Sequence, residues 1–326
     1  MSKILRSASA HFDRASLESA YWLLGNLHAV LAGPGDTGNA FTVMETIYRE
    51  GYGPPAHMHT REDELFVVLE GRVRFFAGAL EAEHGPGAVA FLPRNLAHTF
   101  QPLDGQVRML IGLYPSGFES YFKAVSIPAH TLGLEPDPVT MPDMEEFIAR
   151  AADYGLEFLP PGASVAGHPS TELPGLKAAI SGAGEGEVLD VIGIPTRVKL
   201  SADQTGGVLS AFITEDPKLA GPPLHIHRNE DESVFVLEGD YRIQVGDTLR
   251  DASPGDFAYF PRGVAHTYAR VGEAPGRLLI LTNPGGCEAF FREVDALGAD
   301  GAPDIAAVEA AAAKHGVEFV GPPIGG

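Results

Sequence analysis

Cysteine is almost missing from this chain. Among its 326 residues only Cys287 carries a thiol, so an intrachain disulfide is impossible and an oxidising compartment gains no support. Cys287 follows a Pro-Gly-Gly turn and has no partner residue nearby in the sequence. We therefore interpret it as an inert thiol and not as a catalytic one.

Long apolar runs are missing as well. No window approaches the roughly 18 uninterrupted apolar residues that a membrane span needs. The amino terminus, MSKILRSASAHFDR, lacks the apolar core of about 7–15 residues that a secretory signal needs. We expect a cytoplasmic protein.

Basic residues are scarce: 23 Lys and Arg stand against 43 Asp and Glu, and the formal charge is −20. A polyanion of this size is repelled by phosphate backbones and by anionic lipid heads. Nucleic acid and membrane surfaces are therefore excluded as expected partners. A homodimer is one assembly that the sequence leaves open.

The chain contains an internal repeat. The segment GPPAHMHTREDELFVVLEG at 53–71 recurs as GPPLHIHRNEDESVFVLEG at 221–239, and PGAVAFLPRNLAHTF at 86–100 recurs as PGDFAYFPRGVAHTY at 254–268. Two copies of one domain are indicated, which suits the length of the chain. A Pro/Gly/Ser-rich stretch at 159–170 predicts the boundary, with domains at 1–165 and 166–326.

Each half reads as a series of short strands. Runs such as LFVVLEG and VRFFAG are rich in β-branched and aromatic residues and end at Gly or Pro, and the 39 Gly and 26 Pro imply many tight turns. Helix is expected only at the end of each half, from PDMEEFIARAADYGLEF at 142–158 and PDIAAVEAAAAKHGVEF at 303–319. The pattern predicts an all-β protein with two antiparallel barrels or sandwiches and short C-terminal helices.

Histidine and glutamate recur at matched positions of the two halves. An H-x-H pair projects both imidazoles from one face of a strand, and a glutamate five residues later and a third histidine complete each set. Neutral imidazole and carboxylate are good donors to first-row divalent ions, so we predict a metal site in each half. The alternative for any single histidine is a hydrogen-bonded core residue. The predicted ligands are His57, His59, Glu64 and His98, then His225, His227, Glu232 and His266.

The remaining six histidines have no matched partner in the repeat. We interpret them as surface or core residues: His11, His28, His84, His130, His168 and His315.

These residues also carry a family resemblance. The pattern H-x-H-x4-E-x6-G followed by G-x5-P-x-G-x2-H resembles the two motifs of the cupin superfamily, through Gly71, Gly87 and Pro93 in the first half and through Gly239, Gly255, Pro261 and Gly263 in the second. Asn95 stands where glycine is usual, and asparagine tolerates the same left-handed backbone. The resemblance implies a bicupin with the double-stranded β-helix, jelly-roll-like barrel of that superfamily.

Within bicupins, the chain most resembles the bacterial quercetin 2,3-dioxygenases in ligand spacing and length. The resemblance implies a divalent metal (Fe, Mn, Ni or Co, up to two per chain), a small aromatic substrate and O2, with carbon monoxide released. It also implies that Glu64 and Glu232 take the substrate proton. A raised carboxylate pKa in an apolar barrel would suit that role.

Strand parity predicts the pocket lining. Residues two positions from a ligand share its face of the strand, so we expect substrate contacts from Phe66, Phe100, Val234 and Tyr268. The alternative for each is plain barrel core. Which of the two sites is catalytic stays open at this point.

Two other functions remain as alternatives. One is a different metal-dependent bicupin enzyme, such as a decarboxylase resembling oxalate decarboxylase, an isomerase or a cyclase. Oxalate decarboxylases usually have tryptophan after the glutamate, where this chain has Leu65 and Ser233. The other is a non-catalytic bicupin that stores or senses a small molecule.

Overall fold

The computed structural model describes residues 10–168, 176–217, 221–298 and 304–324. The chain divides into two compact units. We call Ala15–Glu185 the first barrel, and we call residues 10–14 together with the described residues from Gly186 onward the second barrel. No helix in the described ranges is both long and apolar enough to cross a membrane.

Strands dominate the first barrel. Numbered along the chain after β1 (His11–Asp13), they are β2 (Ala20–Leu23), β3 (Asn26–Ala32), β4 (Thr42–Arg49), β5 (His57–His59), β6 (Asp63–Glu70), β7 (Val73–Ala77), β8 (Leu80–His84), β9 (Val89–Leu92), β10 (His98–Pro102), β11 (Gln106–Tyr114), β12 (Ile127–Pro128), β13 (Leu156–Phe158) and β14 (Ala179–Ser181). One sheet has the order β12-β2-β3-β4-β11-β6-β9-β14, and the other has the order β13-β5-β10-β7-β8.

The second barrel repeats this arrangement. Its strands are β15 (Glu187–Val191), β16 (Ile194–Leu200), β17 (Ser210–Thr214), β18 (Leu224–His227), β19 (Asp231–Glu238), β20 (Asp240–Val245), β21 (Thr248–Ala252), β22 (Phe257–Phe260), β23 (His266–Val271), β24 (Arg277–Asn283) and β25 (Val317–Gly321). The sheet orders are β1-β22-β19-β24-β17-β16-β15 and β21-β20-β23-β18-β25. The prediction of an all-β protein with two antiparallel barrels is confirmed.

Alternation along the strands builds the core of each barrel. In β7 the burial alternates, with Val73 and Phe75 buried while Arg74 between them is only half-buried. These side chains pack against Met44 and Phe66 from the opposite sheet. Because β6 and β9 are buried along most of their length, their sequences read as continuous apolar runs.

The helices are more numerous than predicted. The expected ones form as α3 (Met144–Ala151) and α6 (Ile305–Lys314), after α1 (Pro34–Thr37), α2 (Glu119–Val125), α4 (Ala202–Thr205) and α5 (Glu288–Leu297). The prediction that helix occurs only at the end of each half is therefore wrong. In α5 the buried Phe290 and Val294 lie four residues apart on one face, so the sequence carries a helical period there that the prediction missed.

Two short strands pair away from the half in which the sequence places them. β1 pairs antiparallel with β22 of the second barrel, and β14 pairs with β9 of the first barrel. The compact units divide between Glu185 and Gly186, whereas the composition places the domain boundary between 165 and 166, and residues 10–14 group with the second unit. Each strand supplies backbone partners to an otherwise open sheet edge, which a composition-based boundary does not reveal.

Candidate metal centres

Four donor side chains meet inside the first barrel. His57 and His59 lie on β5, Glu64 on β6 and His98 on β10, and all four are buried. His98 stands directly opposite His57 in the antiparallel register. One ligand atom from each of the four side chains lies within 4.8 Å of the other three, so the predicted set comes together.

The second barrel assembles the same donors. β18 carries His225 and His227, β19 carries Glu232 and β23 carries His266, which stands opposite His225. These four side chains are also buried, and one ligand atom from each lies within 4.8 Å of the other three. The H-x-H spacing works as predicted in both barrels, because alternate residues of one strand face the same side.

Backbone carbonyls set the tautomer of several imidazoles. Nδ1 of His57 lies 2.8 Å from the carbonyl oxygen of Pro55, and Nδ1 of His98 lies 2.8 Å from that of Leu96. A carbonyl only accepts, so Nδ1 carries the proton and the lone pair of a neutral ring is on Nε2. In the second barrel the same contacts are made by His225 to Pro223 at 2.7 Å and by His266 to Val264 at 3.0 Å.

The remaining histidine of each set faces a carboxylate instead. His227 donates from Nδ1 to Oε1 of Glu230 at 2.7 Å, and both side chains are buried. In the first barrel the matching atoms, Nδ1 of His59 and Oε2 of Glu62, are 3.6 Å apart and make no hydrogen bond. Sequence reasoning missed both glutamates, although each lies three residues after the second histidine of its H-x-H pair.

The donor sets fit a divalent metal ion. Oε2 of Glu64 lies 2.6 Å from Nε2 of His98, yet both atoms are buried without a well-formed hydrogen bond. Because the proton of His98 is on Nδ1, the lone pair of its Nε2 atom faces a lone pair of Glu64 Oε2, and the two repel each other. A cation bound by both atoms would remove this repulsion. Nε2 of His266 is likewise buried without a partner. Three imidazoles and a carboxylate suit Fe, Mn, Co or Ni.

Electrostatics in the sites lower the carboxylate pKa values. Burial raises the pKa of Glu64, but the imidazoles of His59 and His98 outweigh it and hold the value at about 2. The pKa of Glu232 is lowered in the same way by His227 and His266. The expectation of a raised carboxylate pKa is therefore wrong, because the polar imidazoles and not the apolar barrel wall surround each carboxylate.

The imidazoles divide into two types. Burial, and then the neighbouring imidazoles, lower the pKa of His57 and of His225 well below the usual range, so these rings are neutral. For His227, burial is outweighed by Glu230 and Glu232, which raise its pKa to about 9. Metal binding at His227 therefore requires release of a proton.

The turn before each third histidine has the same geometry in both barrels. Asn95 has φ = 65° and Gly263 has φ = 82°, so both positions need the left-handed conformation. The Asn95 amide donates to the carbonyl of His59, and the Gly263 amide donates to that of His227. The expectation that Asn95 can replace glycine here is confirmed.

Each donor set opens onto a cavity. In the first barrel the cavity measures about 660 Å³, and its wall includes His57, His59 and Glu64. In the second it measures about 750 Å³ and includes His225, His227 and Glu232.

The sequence profile of the cupin domain matches residues 44–111 and 212–282, one stretch in each barrel. Each barrel contains a cupin domain, and the chain therefore has the bicupin architecture.

Known proteins similar to this bicupin include enzymes of two kinds. The quercetin 2,3-dioxygenase of Bacillus subtilis (strain 168) is 28% identical over 113 residues, which cover 34% of this chain and 33% of the relative. This bicupin thus matches about a third of the length of that curated relative.

Two solved structures of Bacillus subtilis oxalate decarboxylase also match. A variant of that enzyme has a TM-score of 0.59 at 15% identity over 84% of this chain and 77% of that one. A structure titled for its Mn(II) centres has a TM-score of 0.59 at 16% identity over 84% and 78%. At such identities the likeness shows the fold alone.

The predicted substrate residues of this bicupin are distributed unevenly. Phe66 and Phe100 line the first cavity, and Tyr268 lines the second. Val234 is not among the described residues that line the second cavity; it is buried in the core beside Phe260. Valine at this position is too short to reach the space that the ring of Phe66 occupies in the first barrel.

Helices and the strand after α3 supply lining residues that strand parity missed. Phe118, just before α2, packs its ring edge against His59 with centroids 4.4 Å apart. Phe122 from α2 and Phe158 from β13 complete this aromatic wall. Phe122 and Phe158 have repeat partners in Phe291 and Phe319, which line the second cavity, so the repeat could have indicated both pairs.

Cys287 takes the place of Phe118 in the second barrel of the bicupin. Its thiol is buried, and burial together with Glu230 and Glu232 raises its pKa well above the usual range. It can approach His227 and Glu230 within 4.8 Å, which makes it part of the shell around the second donor set. A protonated buried thiol is a poor nucleophile.

Proposed function

We propose that this bicupin is a metal-dependent dioxygenase that cleaves a flavonol, or a related enolisable aromatic, with O2. One observation carries the proposal: the buried donors His57, His59 and Glu64 open directly onto a cavity whose wall is built largely from aromatic rings. A flat aromatic substrate matches such a wall by offset and edge-to-face contacts. The sequence similarity to quercetin 2,3-dioxygenase supports the same reaction.

The proposed site would hold the substrate through its 3-hydroxyl. A divalent ion on His57, His59, Glu64 and His98 would stabilise the enolate charge of the substrate beside O2. In the family chemistry, O2 is then added across the heterocycle and carbon monoxide leaves. The chain itself excludes water, since all four donors are buried in an apolar barrel.

Glu64 is the proposed proton acceptor. Its pKa of about 2 keeps the carboxylate ionised at neutral pH, so it can accept a proton but cannot donate one. A carboxylate with such a low pKa is a weak base. The transfer therefore requires a substrate hydroxyl that is itself made more acidic within the site. Glu232 would play the same part in the second barrel.

The first barrel is the proposed main site. Its cavity carries Phe66, Phe100 and Phe118 where the second barrel has Val234, Tyr268 and Cys287 at the matched positions. Three fewer phenylalanine rings leave less surface for stacking a planar molecule in the second barrel. We therefore assign the flavonol to the first cavity.

An oxalate decarboxylase activity is the alternative tested beside it. The likeness to that enzyme is one of fold, and a small dicarboxylate needs cationic partners. No Lys or Arg stands among the described residues that line either cavity. This absence favours the aromatic substrate.

The test is a combined gas and metal assay. Full-length protein is reconstituted separately with Fe, Mn, Co and Ni, and metal content is measured on the sample that is assayed. O2 consumption and carbon monoxide release are followed with a flavonol panel, and CO2 release is followed with oxalate. The proposal expects equal amounts of O2 consumed and carbon monoxide released from a flavonol. CO2 from oxalate without any flavonol turnover would overturn it.

A further inference from the structure

His28 is a buried histidine that belongs to neither donor set. It lies on β3, its side chain lines the first cavity, and it is 2% exposed. Its Nδ1 atom is buried and has no hydrogen-bond partner. His28 is thus a cavity residue, and not the surface or plain core residue expected from the sequence.

An unpaired buried ring nitrogen is costly. Leaving such a group unsatisfied costs about 1–3 kcal/mol, and buried polar groups are almost always paired. The neighbouring polar residue of the cavity shows the usual solution: Asn26 donates to the carbonyl of Tyr52 and accepts from the amide of Arg49. Nδ1 of His28 is closed off from the cavity, whereas Nε2 is not closed off and also has no hydrogen-bond partner among the described residues. A ligand in the cavity can therefore pair with the ring through Nε2.

Ring contacts locate His28 relative to the donor set. Its ring lies 4.5 Å from Phe122, Phe122 lies 5.2 Å from Phe118, and Phe118 lies 4.4 Å from His59, all measured between centroids. Tyr48 meets the His28 ring edge-on at 5.4 Å. His28 is therefore separated from the ligand His59 by two aromatic rings along one wall. A planar molecule of two or three rings spans such a distance.

The second barrel lacks this feature. Thr196 occupies the position matched to His28, and its hydroxyl donates to the carbonyl of Ile194 at 3.1 Å. Asp216 replaces Tyr48, and it is engaged by the hydroxyls of Thr214 and Tyr241. A cavity-lining histidine without a hydrogen-bond partner is therefore found at this position only in the first barrel.

We propose that His28 hydrogen-bonds a hydroxyl on the ring of the substrate farthest from the donor set, so that the first barrel selects polyhydroxylated planar aromatics. The inference rests on the proposed function for the end of the substrate near Glu64. Burial lowers the pKa of His28 to about 3, so the ring is neutral and offers one donor and one acceptor.

The test compares two flavonols that differ only away from the 3-hydroxyl. Quercetin carries hydroxyls on the outer rings, and 3-hydroxyflavone carries none. Both are titrated anaerobically into metal-loaded full-length protein, and binding is followed by absorbance and fluorescence. His28→Phe keeps a flat ring against Phe122 but removes both nitrogens. His130→Phe is the matched control, because His130 is exposed and outside the cavity.

His28→Phe is expected to weaken quercetin about tenfold, the value of one hydrogen bond, and to leave 3-hydroxyflavone within about twofold. His28→Gln keeps a donor and an acceptor and is expected to recover part of the quercetin affinity. His130→Phe is expected to change neither. Equal weakening of both flavonols in His28→Phe, or no weakening of quercetin, overturns the inference.

The same samples separate this inference from the proposed reaction. If the His28 contrast is present but no carbon monoxide forms in air, the reaction fails and the inference stands. If carbon monoxide forms and the contrast is absent, the inference fails and the reaction stands. Absence of any flavonol binding to the unmodified protein overturns both.

Discussion

Glu64 and Glu232 each lie among three imidazoles, and that setting decides their chemistry at the scale of single residues. An apolar barrel wall alone would favour the neutral acid, but the imidazoles favour the carboxylate. Both glutamates are therefore ionised acceptors over the whole neutral range. The base role proposed for either would follow from its position beside the proposed substrate and not from a pKa near 7.

Replacement of these glutamates is the first prediction. Glutamine keeps an oxygen donor but accepts no proton, so Glu64→Gln should retain most of its metal yet lose about 10²–10⁴ in turnover. Glu232→Gln should lose less, because the first barrel is the proposed main site. Flavonol turnover and metal content are measured on each variant. Full activity in the double variant with metal bound would eliminate the base role.

Glu230 and Glu62 occupy matched positions in the two barrels, and replacing each of them tests how it affects metal affinity. Glu230 accepts from Nδ1 of the ligand His227 at 2.7 Å, whereas Glu62 and His59 are 3.6 Å apart without a hydrogen bond. Such outer carboxylates orient metal-ligating imidazoles, and losing one typically costs about 10–100-fold in metal affinity. Chelator competition should therefore show that loss in Glu230→Gln and a smaller one in Glu62→Gln. Equal losses in the two variants would contradict this.

His28 also makes a prediction about acid stability. Its pKa is about 3 in the folded chain against 6.5 when unfolded, so below pH 6.5 the unfolded chain binds a proton that the folded chain does not. This contribution to stability is complete above pH 6.5 and is lost as the pH falls, at about 1.4 kcal/mol per pH unit.

The free energy of unfolding of the natural protein should therefore fall about 2 kcal/mol further than that of His28→Phe between pH 6.5 and 5. Urea unfolding of the metal-free proteins measures the difference, and the ligand histidines contribute equally to both. Parallel pH profiles would show that the His28 ring is protonated in the folded chain.

At the scale of elements, the edge strands β1 and β14 have the largest predicted effect on the stability of the barrels. β14 pairs with β9 through Ala179, Ile180 and Ser181, and it comes from beyond the apparent end of the first repeat. Without β14, the backbone of β9 loses its partners along one side. Buried backbone groups without partners destabilise a sheet edge by about 1–3 kcal/mol each.

A fragment that ends at 185 should consequently be more stable than one that ends at 165. Fragments 15–185 and 15–165 are compared by thermal unfolding, and the longer one should melt at a higher temperature and stay soluble longer. Fragment 1–165 is a useful control, because its first residues contain β1, which pairs in the second barrel. Identical melting of 15–185 and 15–165 would show that β14 adds nothing.

At the scale of the whole molecule, the duplication predicts metal stoichiometry. Both donor sets are complete and buried, so the chain reconstituted with a divalent metal should hold close to two ions. Elemental analysis against protein concentration gives the ratio. One ion per chain would mean that one barrel has kept the donors without the affinity. No ion after reconstitution would remove the enzyme proposals together.

The sequence by itself determined the duplication, the strands around each motif and the eight donors. These features are local: alternation along β5 and β18 places His57 with His59 and His225 with His227 whatever the rest of the chain does. Asn95 was predictable for the same reason, since its left-handed turn is a property of one residue and its neighbours. The cupin resemblance supplied the barrel around them.

Only the tertiary structure decided what faces the donors. Phe118 and Phe122 reach the cavity from a turn and a helix that strand parity does not describe, and Val234 fails to reach it although its parity is right. His28 became a candidate recognition group only once β3 was seen to line that cavity. The direction of the Glu64 pKa and the pairing of β1 and β14 likewise depend on distant groups. Contacts between residues far apart in sequence leave no periodic trace in the chain, so packing had to reveal them.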